Sequence, residues 1–269
     1  MEIKLNKNIG IKIYNKEYTS EQKELINKLL YRAPMLIEFA LFKEELTIED
    51  YPFLNLKQNQ IIFHTNYNNF DYYKYIKNKK TIINFYKEIK QAIKLNASKA
   101  IYHLEFSDPL PKFNNNKNKI LEIYKEIFNK LYKEIPKAKN IIISIENTIS
   151  DIEWYEFIVL ELKKEGFNVG FTLDIGHAKI WSNKNKKEWE NILDKLVKNN
   201  IPLHFHIHKN NGMFDEHRAI MSDDKNISDN FSKNIIEDIK NLIKKYDKET
   251  FIFESQLEMS LKDYQYFVK

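Results

Sequence analysis

Seven histidines, His64, His103, His177, His204, His206, His208 and His217, each stand at the end of a short apolar run or in the polar stretch that follows it. Carboxylates recur in the same places, in Ile145-Glu146-Asn147, Leu173-Asp174-Ile175-Gly176-His177, Phe214-Asp215-Glu216-His217 and Phe253-Glu254. Imidazole and carboxylate donors together suit Zn, Mn or Fe(II). The chain has no cysteine, so disulfides and thiolate metal sites are both excluded. A lone strand histidine is more often a satisfied core residue than a ligand. The competing explanation for the carboxylates is a ring of rim salt bridges, yet only Lys179, Lys209 and Arg218 lie close to these motifs in sequence. Divalent-metal binding is therefore the expected chemistry.

In His204-Phe205-His206-Ile207-His208, the strand period of two sets all three imidazoles on one face. An HxH pair on a strand is a strong metal pattern. Three in a row imply that one or two serve another role, orienting a ligand or touching substrate.

Such residues need a scaffold that gathers them from distant points of the chain. Apolar runs with strand character fall at residues 9–14, 35–41, 60–64, 100–105, 141–146, 168–174, 201–208 and 250–254. Between them, residues 20–30, 72–95, 117–132, 151–165, 186–198 and 228–246 carry apolar side chains at helical spacing. Thr19-Ser20-Glu21-Gln22 and Ser150-Asp151-Ile152-Glu153 resemble helix N-caps followed by acidic residues. Asn114-Asn115-Asn116 and residues 182–187 look like polar loop tips. Pro52 and the short connection over residues 42–59 suggest a reduced helix there. Strands alternating with helices point to a parallel α/β sheet, either a closed (β/α)8 TIM barrel or an open doubly wound sheet. A barrel gathers strand-end residues at its C-terminal face, where active sites of that fold sit. All seven histidines fall at predicted strand ends or in the loops after them, with none in a predicted helix.

The 269 residues match one barrel of about 250 residues and read as a single domain, residues 1–269, without linker or internal repeat. Hydrophobic residues make up 43% of the chain, enough for a sizeable core. The formal charge of +5 permits an acidic partner, although a Lys-, Asn- and Ile-rich composition accounts for it equally well. No apolar run approaches the roughly 18 residues of a membrane span. The opening Met1-Glu2-Ile3-Lys4 lacks a signal-peptide core, so a cytoplasmic location without membrane partner is expected. Oligomeric state is not legible.

From His64 to Glu254 the ordered motifs resemble the xylose isomerase-like TIM barrel superfamily, and within it the endonuclease IV branch of abasic-site DNA repair enzymes. That resemblance implies up to three zinc-class ions held by His64 in IIFHTNY, His103 in AIYHLEF, Glu146 in SIENT, Asp174 and His177 in D-x-x-H, His206 on strand seven, Asp215 and His217 in D-x-H, and Glu254. Tyr67 stands where the branch has a DNA-contacting tyrosine. Departures are equally specific. Ala219-Ile220-Met221-Ser222 replaces a Gly-x-Gly segment, Lys209 replaces an Asp, and Lys43-Glu44-Glu45 replaces an Arg- and Gln-rich loop.

Two activities follow from the resemblance. As a hydrolase, the protein would cleave the phosphodiester at an abasic site in DNA, Glu146 bridging two ions. Clustered ions activate water and stabilise the attacking and leaving oxygens, while Glu146 or Glu254 orients the nucleophile. As a sugar or sugar-phosphate isomerase or epimerase, it would use one ion on Glu146, Asp174, His206 and Glu254. Glu146 and Glu254 would then be the acid–base pair, with His177, His208 and Arg218 near the substrate. A metal-dependent binding protein without turnover is the third reading. The ion is expected to be Zn, with Mn or Fe as alternatives, in one to three copies.

Overall fold

The computed structural model describes residues 8–14, 18–30, 35–40, 60–105, 113–182, 184–222 and 235–268. The expected features at residues 1–7, 41–59 and 228–234, including Leu41, Lys43-Glu44-Glu45 and Pro52, lie outside them. The strands are β1 (Ile9–Tyr14), β2 (Leu36–Ala40), β3 (Gln60–His64), β4 (Lys99–His103), β5 (Ile142–Glu146), β6 (Val169–Asp174), β7 (Leu203–Ile207) and β8 (Thr250–Phe253). They pair in parallel in chain order, and β1 closes on β8. The alternative of an open doubly wound sheet is thereby excluded, and the fold is a (β/α)8 TIM barrel. No described helix is long and apolar enough to cross a membrane.

The helices are α1 (Ser20–Leu30), α2 (Tyr72–Lys77), α3 (Ile82–Lys94), α4 (Phe113–Glu134), α5 (Ile152–Lys164), α6 (Ile175–Trp181), α7 (Lys186–Lys198), α8 (Ile235–Lys245) and α9 (Leu257–Phe267). The anticipated caps form. Thr19 Oγ1 accepts from Gln22 N–H while Gln22 Oε1 accepts from Thr19 N–H, and Asp151 caps α5 through Glu153 N–H. The single helix expected over residues 72–95 is instead broken at Asn78. Its side chain accepts from Lys80 N–H and its backbone is extended, so a local side-chain bond outcompetes the helical one. Asn114–Asn116, expected in a loop tip, lie in the first turn of α4. The short α6 and the final α9 have no counterpart among the expected helices.

Strand alternation divides the barrel's chemistry in two. Outward residues such as Ile9, Ile11, Ile13, Phe63, Tyr102, Phe171, Phe205 and Phe251 join the helices in one large apolar core. A separate apolar cluster contains only Leu36, Ile62, Ile101 and Ile252. Lys12, Glu38, Lys99, Ser144, Thr172 and His204 are also buried, on the same strand faces as the rim donors. Burying polar groups in this way is tolerable because they bond one another. Ser144 Oγ and Thr172 Oγ1 are 2.7 Å apart, and Lys99 Nζ donates to Leu203 O at 2.6 Å and Thr250 Oγ1 at 2.8 Å. Gly10 lets β1 approach β2, since a Cβ there would lie 1.9 Å from Leu36 O.

Glu88 on α3 holds the loop after β3 in place. Its carboxylate accepts from Asn66 N–H at 3.2 Å and Asn69 Nδ2 at 2.7 Å. Burial raises its pKa from 4.5 to about 7. The folded state thus retains a proton that the unfolded chain sheds above pH 4.5, so this residue's contribution to stability falls as pH rises towards 7 and is level beyond it. Glu88→Gln removes the titration. The stability difference between variant and wild type should therefore shift in the variant's favour by about 2–3 kcal/mol from pH 4.5 to pH 7.5. Parallel urea-derived stability profiles for the two proteins would refute this.

Candidate metal centre

The nine residues singled out as ligands converge at the C-terminal mouth of the barrel. Glu146, at the end of β5, is central. Its Oε2 lies 3.2 Å from His64 Nε2 and 2.9 Å from His103 Nε2. Its Oε1 lies 3.1 Å from His206 Nδ1 and 3.6 Å from His177 Nδ1. The two oxygens thus face two different sets of imidazoles. His206 Nδ1 is also 3.1 Å from Glu254 Oε2 and 3.8 Å from Asp174 Oδ2. At the outer edge, Asp215 Oδ2 is 3.1 Å from His177 Nε2 and 2.9 Å from His217 Nε2.

Among the described residues, donor atoms close enough to share an ion fall into sets that include His64–His103–Glu146, Glu146–Asp174–His177, Asp174–His206–Glu254 and His177–Asp215–His217. Ligands held about 2.0–2.2 Å from a tetrahedral ion stand about 3.4 Å from one another, and the separations above cluster around that value. The donor chemistry and the spacing both fit divalent ions.

Local structure aims the donors. His64 Nδ1–H donates to Thr65 O at 2.8 Å and His177 Nδ1–H to Asn147 O at 2.9 Å, which leaves Nε2 of each ring as the free lone pair. His177 could then ligate only through Nε2, beside Asp215, and not with Glu146 and Asp174, which its Nδ1 faces. Asp174 caps α6 by accepting from His177 N–H at 2.7 Å. His177 therefore sits in a helix, contrary to the expectation from sequence, because the D-x-x-H spacing is also that of an N-cap and its third helical residue. Buried His208 does not line the mouth. Its Nε2 lies 3.0 Å from Asp174 Oδ1, against Gly176, where a Cβ would come within 2.0 Å of the ring. His208 thus supports Asp174. Arg218 also stays off the cavity wall and pairs with Glu216 at 2.6 Å. Tyr67 does line the cavity, its ring stacked on His103 at 5.7 Å between centroids. The cavity measures about 450 Å³, and Tyr14, Trp181 and Gln256 are among its other walls.

Electrostatics agree with a cation site. Burial disfavours charge on His177, yet Asp174, Asp215 and Glu146 push its pKa up to about 10. Burial likewise opposes charge on His206, but Glu38, Glu146 and Glu254 hold it well above the ordinary imidazole value. Against the same burial, Lys12, His206 and His217 hold Glu254 well below the usual carboxylate range. The carboxylates thus favour positive charge on the imidazoles, and divalent ions would compete for the same positions.

Sequence reasoning missed Lys12 on β1 and Glu38 on β2. Lys12 Nζ lies 2.5 Å from Glu254 Oε1 and 3.2 Å from Glu38 Oε1. The cation beside Glu254 and Glu38 therefore comes from the start of the chain, and is none of Lys179, Lys209 or Arg218. Glu38 Oε2 accepts from both His204 Nε2 and His206 Nε2 at 2.8 Å. The available signal was a single charged residue inside each of two otherwise apolar strands.

No protein-family profile matches the chain. An uncharacterised protein of Methanocaldococcus jannaschii is 32% identical over 119 residues, which cover 42% of this chain and 44% of that protein; the aligned stretch thus spans less than half the length of that relative. Among solved structures, the TTHB071 protein of Thermus thermophilus, soaked with ZnCl2, superposes with a TM-score of 0.65 at 14% identity over 97% of each chain. Endonuclease IV of the same organism gives 0.63 at 13% identity over 97% of each chain. A D-tagatose 3-epimerase-like protein gives 0.62 at 20% identity over 97% of this chain and 98% of its own. These likenesses show the (β/α)8 TIM-barrel fold, which the endonuclease IV and the D-tagatose 3-epimerase-like protein share.

Proposed function

We infer that this protein is a divalent-metal-dependent phosphodiesterase whose centre holds two or three ions, with an abasic site in DNA as its substrate. The observation that carries this reading is Glu146, whose Oε2 faces His64 and His103 while its Oε1 faces His206. A single-ion isomerase would need only Glu146, Asp174, His206 and Glu254. It would leave His64, His103, Asp215 and His217 without a task, although their donor atoms are packed against one another at the mouth.

Bound ions supply Lewis-acid charge and lower the pKa of water, which a phosphodiester displacement needs at both the attacking and the leaving oxygen. The chain's own residues do the positioning. His64 and His103 approach from β3 and β4, and His177, Asp215 and His217 from the opposite rim, so a phosphate seated over Glu146 would be flanked on both sides. Tyr67, stacked on His103, offers a flat ring beside the phosphate position, suited to a base or deoxyribose. Glu146 Oε1 and Glu254 Oε2 both lie 3.1 Å from the same His206 nitrogen. That common focus suits both carboxylates as ligands of one ion, as either reading requires.

The metal-loaded protein should nick duplex DNA on the 5′ side of a reduced abasic analogue, which cannot undergo β-elimination, leaving a 3′-hydroxyl. Rising salt should weaken DNA binding steeply as Lys contacts release counterions. An intact duplex at low salt, with proton exchange into a ketose instead, would transfer the assignment to the sugar isomerase or epimerase reading.

A further inference from the structure

Below the mouth, four side chains on β1, β2 and β7 form a sealed network that touches the centre from beneath. Glu38, His204 and His206 are fully buried and Lys12 is only 4% exposed. Glu38 Oε2 receives His206 Nε2 and His204 Nε2, each at 2.8 Å, while Glu38 Oε1 faces Lys12 Nζ at 3.2 Å. His204 Nδ1 bonds Thr250 Oγ1 at 2.7 Å. Lys12 Nζ turns its shortest contact, 2.5 Å, to Glu254 Oε1, which also accepts from Tyr14 Oη at 3.3 Å.

We propose that Glu38 and Lys12 are positioning residues of the metal centre: Glu38 fixes His206 as an Nδ1 donor, and Lys12 confines Glu254 to binding through Oε2 alone. The inference rests on the metal-centre part of the reading above and is independent of the substrate. A carboxylate can only accept from an imidazole when both are in their ligating protonation states, so contact with Glu38 places the His206 proton on Nε2. The Nδ1 lone pair then points at Glu146, Asp174 and Glu254. His206 is thereby the opposite tautomer to His64 and His177, whose Nδ1 protons go to backbone carbonyls. Glu254 is limited by competition. Its Oε1 is held by an ammonium and a phenol, with His217 Nδ1 3.5 Å away, while Oε2 is the oxygen that faces His206 Nδ1 at 3.1 Å.

The Glu38–His204–His206 triple has donor spacing that would also suit an ion. Lys12 argues against one there, because its ammonium lies 3.2 Å from Glu38 Oε1 and would repel a second cation. An ion at that point would also need His206 stripped of both ring protons. The triple is better explained as a carboxylate that orients a ligating histidine, an arrangement whose loss typically costs about 10–100-fold in metal affinity.

The test uses the full-length protein loaded with Zn²⁺ or Co²⁺, with binding and spectroscopic readouts. Glu38→Gln keeps the side-chain volume but removes the charge and should weaken Zn²⁺ affinity by about 10–100-fold, while Glu38→Asp, which keeps the charge, should recover part of the loss. Lys12→Met frees Glu254 Oε1, so the bound Co²⁺ should gain a ligand and its visible absorption should weaken. A measurement on the wild type needs no variant to fold. In ¹⁵N-histidine-labelled, Zn²⁺-loaded protein, His206 should carry its proton on Nε2, with His64 and His177 protonated on Nδ1. Unchanged Zn²⁺ affinity in Glu38→Gln, an unchanged Co²⁺ spectrum in Lys12→Met, or an Nδ1-protonated His206 would each overturn the proposal. A wild type that binds no ion overturns the metal centre and this proposal together. Ion binding without any nick at abasic DNA overturns the substrate assignment alone, since affinity and tautomer are read without it.

Discussion

Glu146→Gln should strip the protein of at least one ion per chain and lower abasic-site cleavage far beyond the about 10–100-fold that loss of an outer partner costs. The residue is unique in the site because four imidazoles, of His64, His103, His177 and His206, converge on its two oxygens. A glutamine keeps the shape but offers one oxygen and one NH2 group. Whichever way the amide turns, one imidazole set meets a donor where it had an anion. The effect should therefore exceed that of changing a peripheral donor. His217→Asn removes one ring from the outer set, yet Asp215 keeps its 3.1 Å contact with His177. Metal content by elemental analysis and single-turnover cleavage measured on the same preparations would decide the matter. If Glu146→Gln retains the wild-type ion count and cuts at a comparable rate, Glu146 bridges nothing and the multinuclear reading fails.

The barrel was legible because strand and helix periods alternate along the whole chain, and β5, Ile142–Glu146, is typical in ending an apolar run on a chemically active residue. The candidate donors were legible for the same reason. Imidazoles and carboxylates that end apolar runs are not accounted for by core packing. Lys12 and Glu38 escaped because each was a lone charge in a strand, without a partner visible in sequence. Their partners, Glu254 and His206, are more than a hundred positions away, and only barrel closure of β1 against β8 brings the first pair together. The break at Asn78 was hidden because the apolar spacing of a helix continues on both sides of it. His177 was placed on a loop because the capping role of Asp174 could not be separated from its expected role as a ligand. One aspartate does both through different oxygens: Oδ1 accepts from the helix N–H, and Oδ2 is turned towards His177 and His206. His208 took the ligand-orienting one of its two expected roles. The strand period put it beside His206 correctly, but it could not show that Gly176 leaves room for the ring to pack behind Asp174.

Removing bound metal should lower the melting temperature by about 5–15 °C. The carboxylates of Glu38, Glu146, Asp174 and Glu254 are buried within a few ångströms of one another, with Asp215 at their edge. Against them stand Lys12 and whatever protons the imidazoles hold. Such a cluster is stable only when its charges are matched, since removing one partner from a buried pair costs about 3–5 kcal/mol. Divalent ions would bind this arrangement in the folded state, whereas the unfolded chain disperses the donors. Linkage then gives about 2.7 kcal/mol of added stability at a hundredfold excess of free ion over its dissociation constant, and about 4 kcal/mol at a thousandfold. In a chain of this size each 1 kcal/mol shifts the midpoint by about 2–4 °C, which sets the expected range. The gain should shrink as pH falls, because the imidazoles must shed protons to bind metal. Melting curves after dialysis against EDTA, and again after Zn²⁺ or Mn²⁺ is restored, measure the effect directly. Superimposable curves would mean that the folded state gains nothing from metal, and the clustered carboxylates would then have to be balanced by Lys12 and protonated histidines alone.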